Sequence, residues 1–338
     1  MDMENNEYKK IELTSSEVSS LWTAYQADTM MIRGIQYFLV NIEDEDIKET
    51  LEFALNLIEE HKNGVEEIFT KEEYPIPQGF TEEDVNLDAP RLFTDKLYLE
   101  FILSMSGYTL AAYSAALSQA ERTDIIDYFS KVLVNDQILH KKVKELAKEK
   151  GIFIRSPFIP KPEQVDFVDS THFLKGWFTN RRPLLGVEIS NLVFNARRNA
   201  LGQGIITGFS QVARSKEVRQ YFERGREISG KHMETLSNTL KECYLSSGAI
   251  LSTPEVTDSK EAPFSDKYMM FLITTLIASS IGQYGIAISV SPRHDLGVQY
   301  SRLIAEIAKY SNLGAKLMIN NGWMELPPIA ADRKELAE

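Results

Sequence analysis

Sliding this 338-residue chain over itself by 171 positions brings its two halves into register without a gap, from Leu13 on Leu184 to Pro157 on Pro328. Glu17, Ser19 and His61 fall on Glu188, Ser190 and His232. Asp95 and Lys96 fall on Asp266 and Lys267, Arg122 and Asp124 on Arg293 and Asp295, and Gly151 on Gly322. About twenty of roughly 145 aligned positions are identical, about twice what chance gives, and the spacing survives helices, loops and turns alike. The repeated object is therefore a whole domain, and each copy is a control for the other. Chemistry that both copies need appears twice, whereas chemistry in one copy marks specialisation or decay.

The chain is long enough for two domains of ordinary size, and its 43% hydrophobic and 25% charged content describes a globular protein with a real core. A formal net charge of -12 argues against a nucleic-acid footprint, and the basic residues are scattered at helical spacing, as on a solvated face. The single cysteine, Cys243, excludes an internal disulfide framework and fits a reducing, cytoplasmic compartment. The first ten residues mix acidic and basic side chains, unlike a signal peptide. Residues 268–290 carry no formal charge and are long enough to span a bilayer, but Thr274, Thr275, Ser279, Ser280, Gly282, Gln283 and Ser289 dilute them. A buried central helix accounts for this segment and for its counterpart at 97–119, so membrane insertion is not expected.

Each copy reads as four long helices. The first opens at Thr14 with Glu17 three residues on, a capping-box pattern. Val18, Leu21, Trp22 and Tyr25, then Met30, Met31, Ile35 and Phe38, continue its apolar stripe. After a polar turn at 41–46, a second helix carries Leu51, Ala54, Ile58, Val65 and Phe69. A third runs from about Phe93 to Gln119, and a fourth from near Asp124 to Gly151, where a lysine-rich last turn meets a glycine stop. The first and third connections span only a few residues, so those helix pairs are antiparallel.

The middle connection, residues 72–91, is about twenty residues long with Pro75, Pro77, Gly79 and Pro90, and such a stretch inside a compact domain needs a reason. A helix of ~28 residues is ~42 Å long, and an extended chain of about twenty residues can travel that length. The second and third helices then run parallel, giving the up-down-down-up crossover of ferritin-like bundles. The second copy repeats this, with its crossover at 246–263. The expected division is a tail at 1–13, a bundle at 14–152, a linker at 153–183, a second bundle at 184–329 and a tail at 330–338. The linker holds Pro157, Pro160, Pro162, Phe167, Phe173, Trp177 and Phe178, too apolar for a free tether, so it is expected to pack and to form a short helix near 170–178.

The crossover YPIPQGFTEEDVNLDAPRLF at residues 74–93, with FTNRRPL at 178–184, resembles domain-of-unknown-function family 3231, a family of bacilli. The resemblance covers nearly the whole chain. It implies two fused ferritin-like four-helix bundles, distantly similar to spore coat F-type proteins, and a spore-forming setting, but no established activity.

A ferritin-like fold invites a di-iron or di-manganese centre, which needs one Glu from each of two helices and Glu-x-x-His from each of the other two. Neither copy has that motif. Three residues before His61, His140 and His232 stand Ile58, Gln137 and Ser229. In the second copy's third helix residues 268–290 lack Asp, Glu, His and Cys, and Ser311 stands where the first copy has His140. The first copy retains scattered candidates, including Glu59 and Glu60, and helical rise sorts the rest into two levels roughly 10 Å apart. One metal-ligand candidate set is Glu52, Glu100 and His140; the other is Asp28, His61 and Asp136.

Structural readings compete with both sets. His61 lies in the polar run Glu59-Glu60-His61-Lys62, which reads as helix surface, and His140 can pair with Asp136 four residues earlier. Glu100, the one charge within the apolar stretch 97–119, needs a Lys, Arg or Tyr partner from a neighbouring helix. Gly202, Gly204 and Gly208 lie in a helical pattern with no strand before them, so they read as points of close helix approach, with Gly225, Gly230, Gly282 and Gly285. Cys243 reads as a bystander, and Trp22, Tyr25, Tyr37, Phe38, Tyr108 and Tyr113 as core.

The leading expectation is a non-catalytic structural or interaction protein, with no cofactor and with self-association or a protein partner. The alternative is a metal-binding protein or metal-dependent oxidoreductase using iron or manganese in the first copy. A small apolar ligand between the helices of the glycine-rich second bundle is a third reading.

Overall fold

The computed structural model describes residues 11–176, 181–249 and 253–337. Trp177, Phe178 and part of the FTNRRPL segment lie outside the described residues, as do most of the N-terminal tail and residues 250–252 of the second crossover.

The described chain is all-α, with eight long helices in two tandem sets. The first set is α1 (Ser15–Asn41), α2 (Glu45–Lys71), α3 (Asp95–Gln119) and α4 (Thr123–Glu149). The second is α5 (Gly186–Val212), α6 (Lys216–Lys241), α7 (Asp266–Val290) and α8 (His294–Asn320). Helices α1, α3 and α4 match α5, α7 and α8 at both ends under the 171-residue shift, and α2 matches α6 to within one residue. The start signals act as read: the Thr14 side chain accepts from the Glu17 N–H while the Glu17 carboxylate accepts from Thr14 N at 2.8 Å. Asp44 and Ser215 cap α2 and α6. Gly151 and Gly322 end α4 and α8 at φ 69° and 68°, the left-handed conformation glycine adopts without a steric penalty.

The crossover at 72–91 is not wholly irregular, since a 3-10 turn at Glu82–Asp84 is closed by its own capping box from Thr81 and Asp84. In the linker, a 3-10 turn at Thr171–Leu174 stands where a short helix was expected. The linker's apolar residues do not all pack. The Arg182 guanidinium lies over the Phe173 ring at 4.3 Å, but Phe158, Val165, Phe167 and Val168 are exposed.

The chain divides into two compact units that do not coincide with the sequence copies. The first comprises residues 1–88, 101–147 and 322–338; the second comprises 89–100 and 148–321. In the first unit, Leu21 and Tyr25 of α1, Val65 and Phe69 of α2, Tyr113 of α3 and Phe129 of α4 meet in one buried cluster. Residues 322–338 belong to the same unit, where the Glu325 carboxylate accepts from Gln78 N at 3.0 Å and Gly79 N at 2.8 Å.

In the second unit α5 packs on α6 and α7 on α8. The two crossover segments within that unit pair: Phe93 and Val256 form an antiparallel bridge, and Thr94 and Lys96 bond the Glu255 carboxylate at 2.6 and 2.8 Å. Tyr221 of α6 and Tyr310 of α8 stack with ring centroids 4.2 Å apart. Their hydroxyls sit over Gly314 and Gly225, where any Cβ would overlap them. These glycines therefore make room for tyrosine hydroxyls, while Gly282 and Gly285 face open space and mediate no close approach.

Among the described residues α7 is the one helix long and apolar enough to cross a membrane. Tyr268, Met269, Met270, Ile273 and Tyr284 on it are buried in the second unit, and about a third of its most apolar stretch is buried in all.

Candidate functional site

Polar residues shared by the copies build the same corner twice. Glu17 is buried in α1 and accepts from the backbone N–H groups of Glu121 and Arg122 at 2.9 and 2.8 Å. Arg122 then chelates Asp124 and reaches the Ile11 carbonyl and Glu72. In the second unit Glu188 accepts from Arg293 N, and Arg293 chelates Asp295 and reaches the Arg182 carbonyl. Ile11 and Arg182 are themselves equivalent under the shift. Burial works against the charge on Glu188, but bonds from Arg182 and backbone N–H groups outweigh it and hold the carboxyl below its ordinary range. The corner fastens the start of the first helix of each copy to the turn before the fourth.

The centre of each bundle holds a second repeated constellation. In the first unit Tyr113 donates to Asp28 Oδ1 at 3.1 Å, its ring meets His61 edge-on at 6.2 Å, and His61 Nε2 lies 3.4 Å from Asn135 Nδ2. In the second, Asn199 donates to the Tyr284 hydroxyl at 2.7 Å. That hydroxyl lies 3.2 Å from His232 Nδ1, and His232 Nε2 lies 3.1 Å from Glu306. Histidine and tyrosine are kept. Around them Asp28 becomes Asn199, Asn135 becomes Glu306 and Asp136 becomes Ile307.

His61 is 3% exposed, which corrects its reading as a surface residue. The signal was present in the spacing of Ala54, Ile58, His61 and Val65, which puts the histidine on the apolar stripe despite its charged neighbours. Burial pushes its pKa down to about 4, with Glu60 opposing and Lys131 adding. Burial also lowers His232, against the bond from Glu306.

The set Asp28, His61 and Asp136 does come to one buried region. Burial raises the Asp28 pKa well above the ordinary carboxyl value; the Tyr113 bond opposes this and the Asp136 charge adds to it. Burial raises Asp136 to about 6 against a bond from Thr109. One oxygen of each, Oδ2, is buried without a hydrogen-bond partner. His61, however, turns Nε2 to Asn135.

The other set is not organised around shared ligation. Glu52 is exposed. His140 is half-buried with Nδ1 2.9 Å from Ser106 Oγ, which corrects its expected pairing with Asp136. Burial raises Glu100, Lys96 opposes and Glu255 adds. The Lys96 ammonium one turn earlier on α3 bonds Glu255 at 2.8 Å and acts on Glu100 through its charge alone. Among the described residues no group of three or more His, Cys, Asp or Glu side chains is placed to hold a metal ion. The residues present do not fit the four-carboxylate, two-histidine donor set of a ferritin-like di-metal centre.

The model for a family described as a protein of unknown function (DUF3231) matches residues 1–165 and 172–336, once for each copy. The chain belongs to that family. A solved structure of a "putative spore coat protein" from Bacillus halodurans C-125 is 24% identical, with a TM-score of 0.43, covering 46% of this chain and 99% of that one. No curated protein matches the chain.

Proposed function

We propose that this DUF3231 protein is a non-catalytic structural or interaction protein of a spore-forming bacillus, cytoplasmic or spore-associated, built on a duplicated ferritin-like scaffold. The observation that supports this reading is the use made of the shared polar residues. Glu17 and Glu188, Arg122 and Arg293, and Asp124 and Asp295 all join helices to turns. His61 and His232 sit beside equivalent tyrosines inside the bundles. The positions that differ, such as Asp28 and Asn199, change charge without moving a helix boundary. Both copies thus keep what holds the scaffold together. The sporulation setting rests on the family resemblance.

A fluorescent fusion expressed from the native locus tests the setting. Signal is expected to rise with sporulation and collect at the spore, and equal signal throughout vegetative growth overturns it. Metal analysis of untagged protein purified without chelator tests the non-catalytic role. Iron or manganese near one atom per chain, lost in Asp136→Ala or His140→Ala, would overturn it.

A further inference from the structure

A groove of about 360 Å³ lies in the first unit, between the C-terminal half of α1 and the crossover after α2. That volume is at the small end of the range for ligand sites, roughly 300–1,000 Å³. Its walls are apolar, formed by Leu39, Val40, Val85 and Leu87, and Val40 and Leu87 remain 61% and 41% exposed. Arg33 lines it from α1. One prong of the guanidinium donates to Gln36 Oε1 at 3.0 Å. Its Nε is buried without a hydrogen-bond partner, and Arg33 has no ion pair among the described residues. A buried donor without an acceptor is costly, and a guanidinium presents Nε and Nη in a fork that matches a carboxylate. Glu82 lines the crossover side, on the 3-10 turn held by the Thr81–Asp84 capping box.

The second copy dismantles most of this arrangement and keeps the wall valine, Val256 at the position of Val85. Gly204 stands at the position of Arg33, Gln211 at that of Val40, Thr253 at that of Glu82 and Asp258 at that of Leu87. The scaffold does not require the groove, since the other copy folds without it.

We propose that this groove is a binding site for a small aliphatic molecule with the charge pattern of an aliphatic α-amino acid. Arg33 receives the carboxylate, supplying its Nε with the acceptor it lacks. Glu82 receives the ammonium group. Val40, Val85 and Leu87 cover the aliphatic side chain and lose their exposure when it binds.

Calorimetric titration of the full chain with L-leucine tests the site. Saturable binding of one molecule per chain is expected, weakened at least tenfold in Arg33→Gln and in Glu82→Gln. 4-Methylpentanoate, which lacks the amine, is expected to bind at least tenfold more weakly than leucine to the unaltered chain and alike to Glu82→Gln. Val40→Asp, on an exposed helix position, blocks the apolar wall and is the second probe should Arg33→Gln fail to fold. Absence of saturable leucine binding overturns the proposal, as does binding that ignores both Arg33→Gln and Val40→Asp.

Discussion

The two bundle centres keep one histidine–tyrosine pair and differ in where they hold negative charge. The first places carboxyls inside, at Asp28 and Asp136, each with an oxygen lacking a partner. The second replaces them with Asn199 and Ile307 and moves its carboxylate outward to Glu306, which bonds His232 and Lys231. An inward carboxyl must remain protonated or bear the cost of burial, whereas a rim carboxylate keeps contact with water. The second centre is the relaxed version of the first.

The largest test concerns what the copies share. Arg293→Ala leaves the Asp295 carboxylate without its buried cation and should cost ~3–5 kcal/mol in denaturant unfolding. Arg122→Ala should cost less, because the Asp124 side chain is 41% exposed and water can replace the guanidinium. Equal losses would break the idea that the second corner is the drier one.

Exchanging the interior charges comes next. Asp28→Asn should stabilise the first unit at pH 7.5, and Asn199→Asp should destabilise the second, each by about 2–3 kcal/mol. The sign follows from linkage. A carboxyl raised in the folded state lends stability that is full below its unfolded pKa and is lost as pH rises through the folded value. For Asp136 that window runs from 3.8 to about 6. His61 acts oppositely, its contribution being full above 6.5 and lost as pH falls toward about 4. The two contributions, about 3 kcal/mol each, oppose one another across that range. Asp136→Asn should therefore unmask the histidine, and its stability should fall more steeply than that of the unaltered chain between pH 6.5 and 4. An unchanged pH profile would remove Asp136 from the comparison.

A smaller effect is expected where the second unit stacks tyrosines. Gly225→Ala or Gly314→Ala should lower stability by ~1–3 kcal/mol, because the added methyl meets a hydroxyl whose ring cannot shift within the stack. The first copy carries Ala54 and Val143 there, opposite Leu139 and Thr50, and Ala54→Gly should cost only about 1 kcal/mol. The smallest test moves the rim carboxylate. Glu306→Gln should shift His232 titration to lower pH, and Asn135→Glu should raise that of His61, by about one unit each in NMR titrations.

Much of the scaffold was legible because two copies could be compared. Thr14 with Glu17, Gly151 and Gly322 mark helix ends through local chemistry, and local chemistry is what a sequence displays. The long crossover was legible by its prolines and its length. The bundle centres were harder to read. Tyr113 meets Asp28 across 85 residues, and only the matched retention of tyrosine and histidine hinted that they belong together. His61 was misplaced because charged neighbours outweighed the apolar period in the reading, while burial follows the period. Glu100 feels the charge of Lys96 on its own helix, an i, i+4 spacing that the sequence displays. The Arg33 groove leaves no sequence motif, since it joins single turns of helix and crossover that only folding brings together.

The assignment of residues 322–338 to the first unit and 89–100 to the second has a consequence for synthesis. At about 5–20 residues per second, roughly 9–35 seconds separate the emergence of the last α4 residues from that of the tail. During that interval Gln78 and Gly79 lack the Glu325 carboxylate, and Thr94 and Lys96 wait for Glu255. The nascent first half stays an unfinished body until Glu325 has emerged, so the unit begun first is completed last. A chain cut short before residue 322 would lose the completion of the unit that was made first.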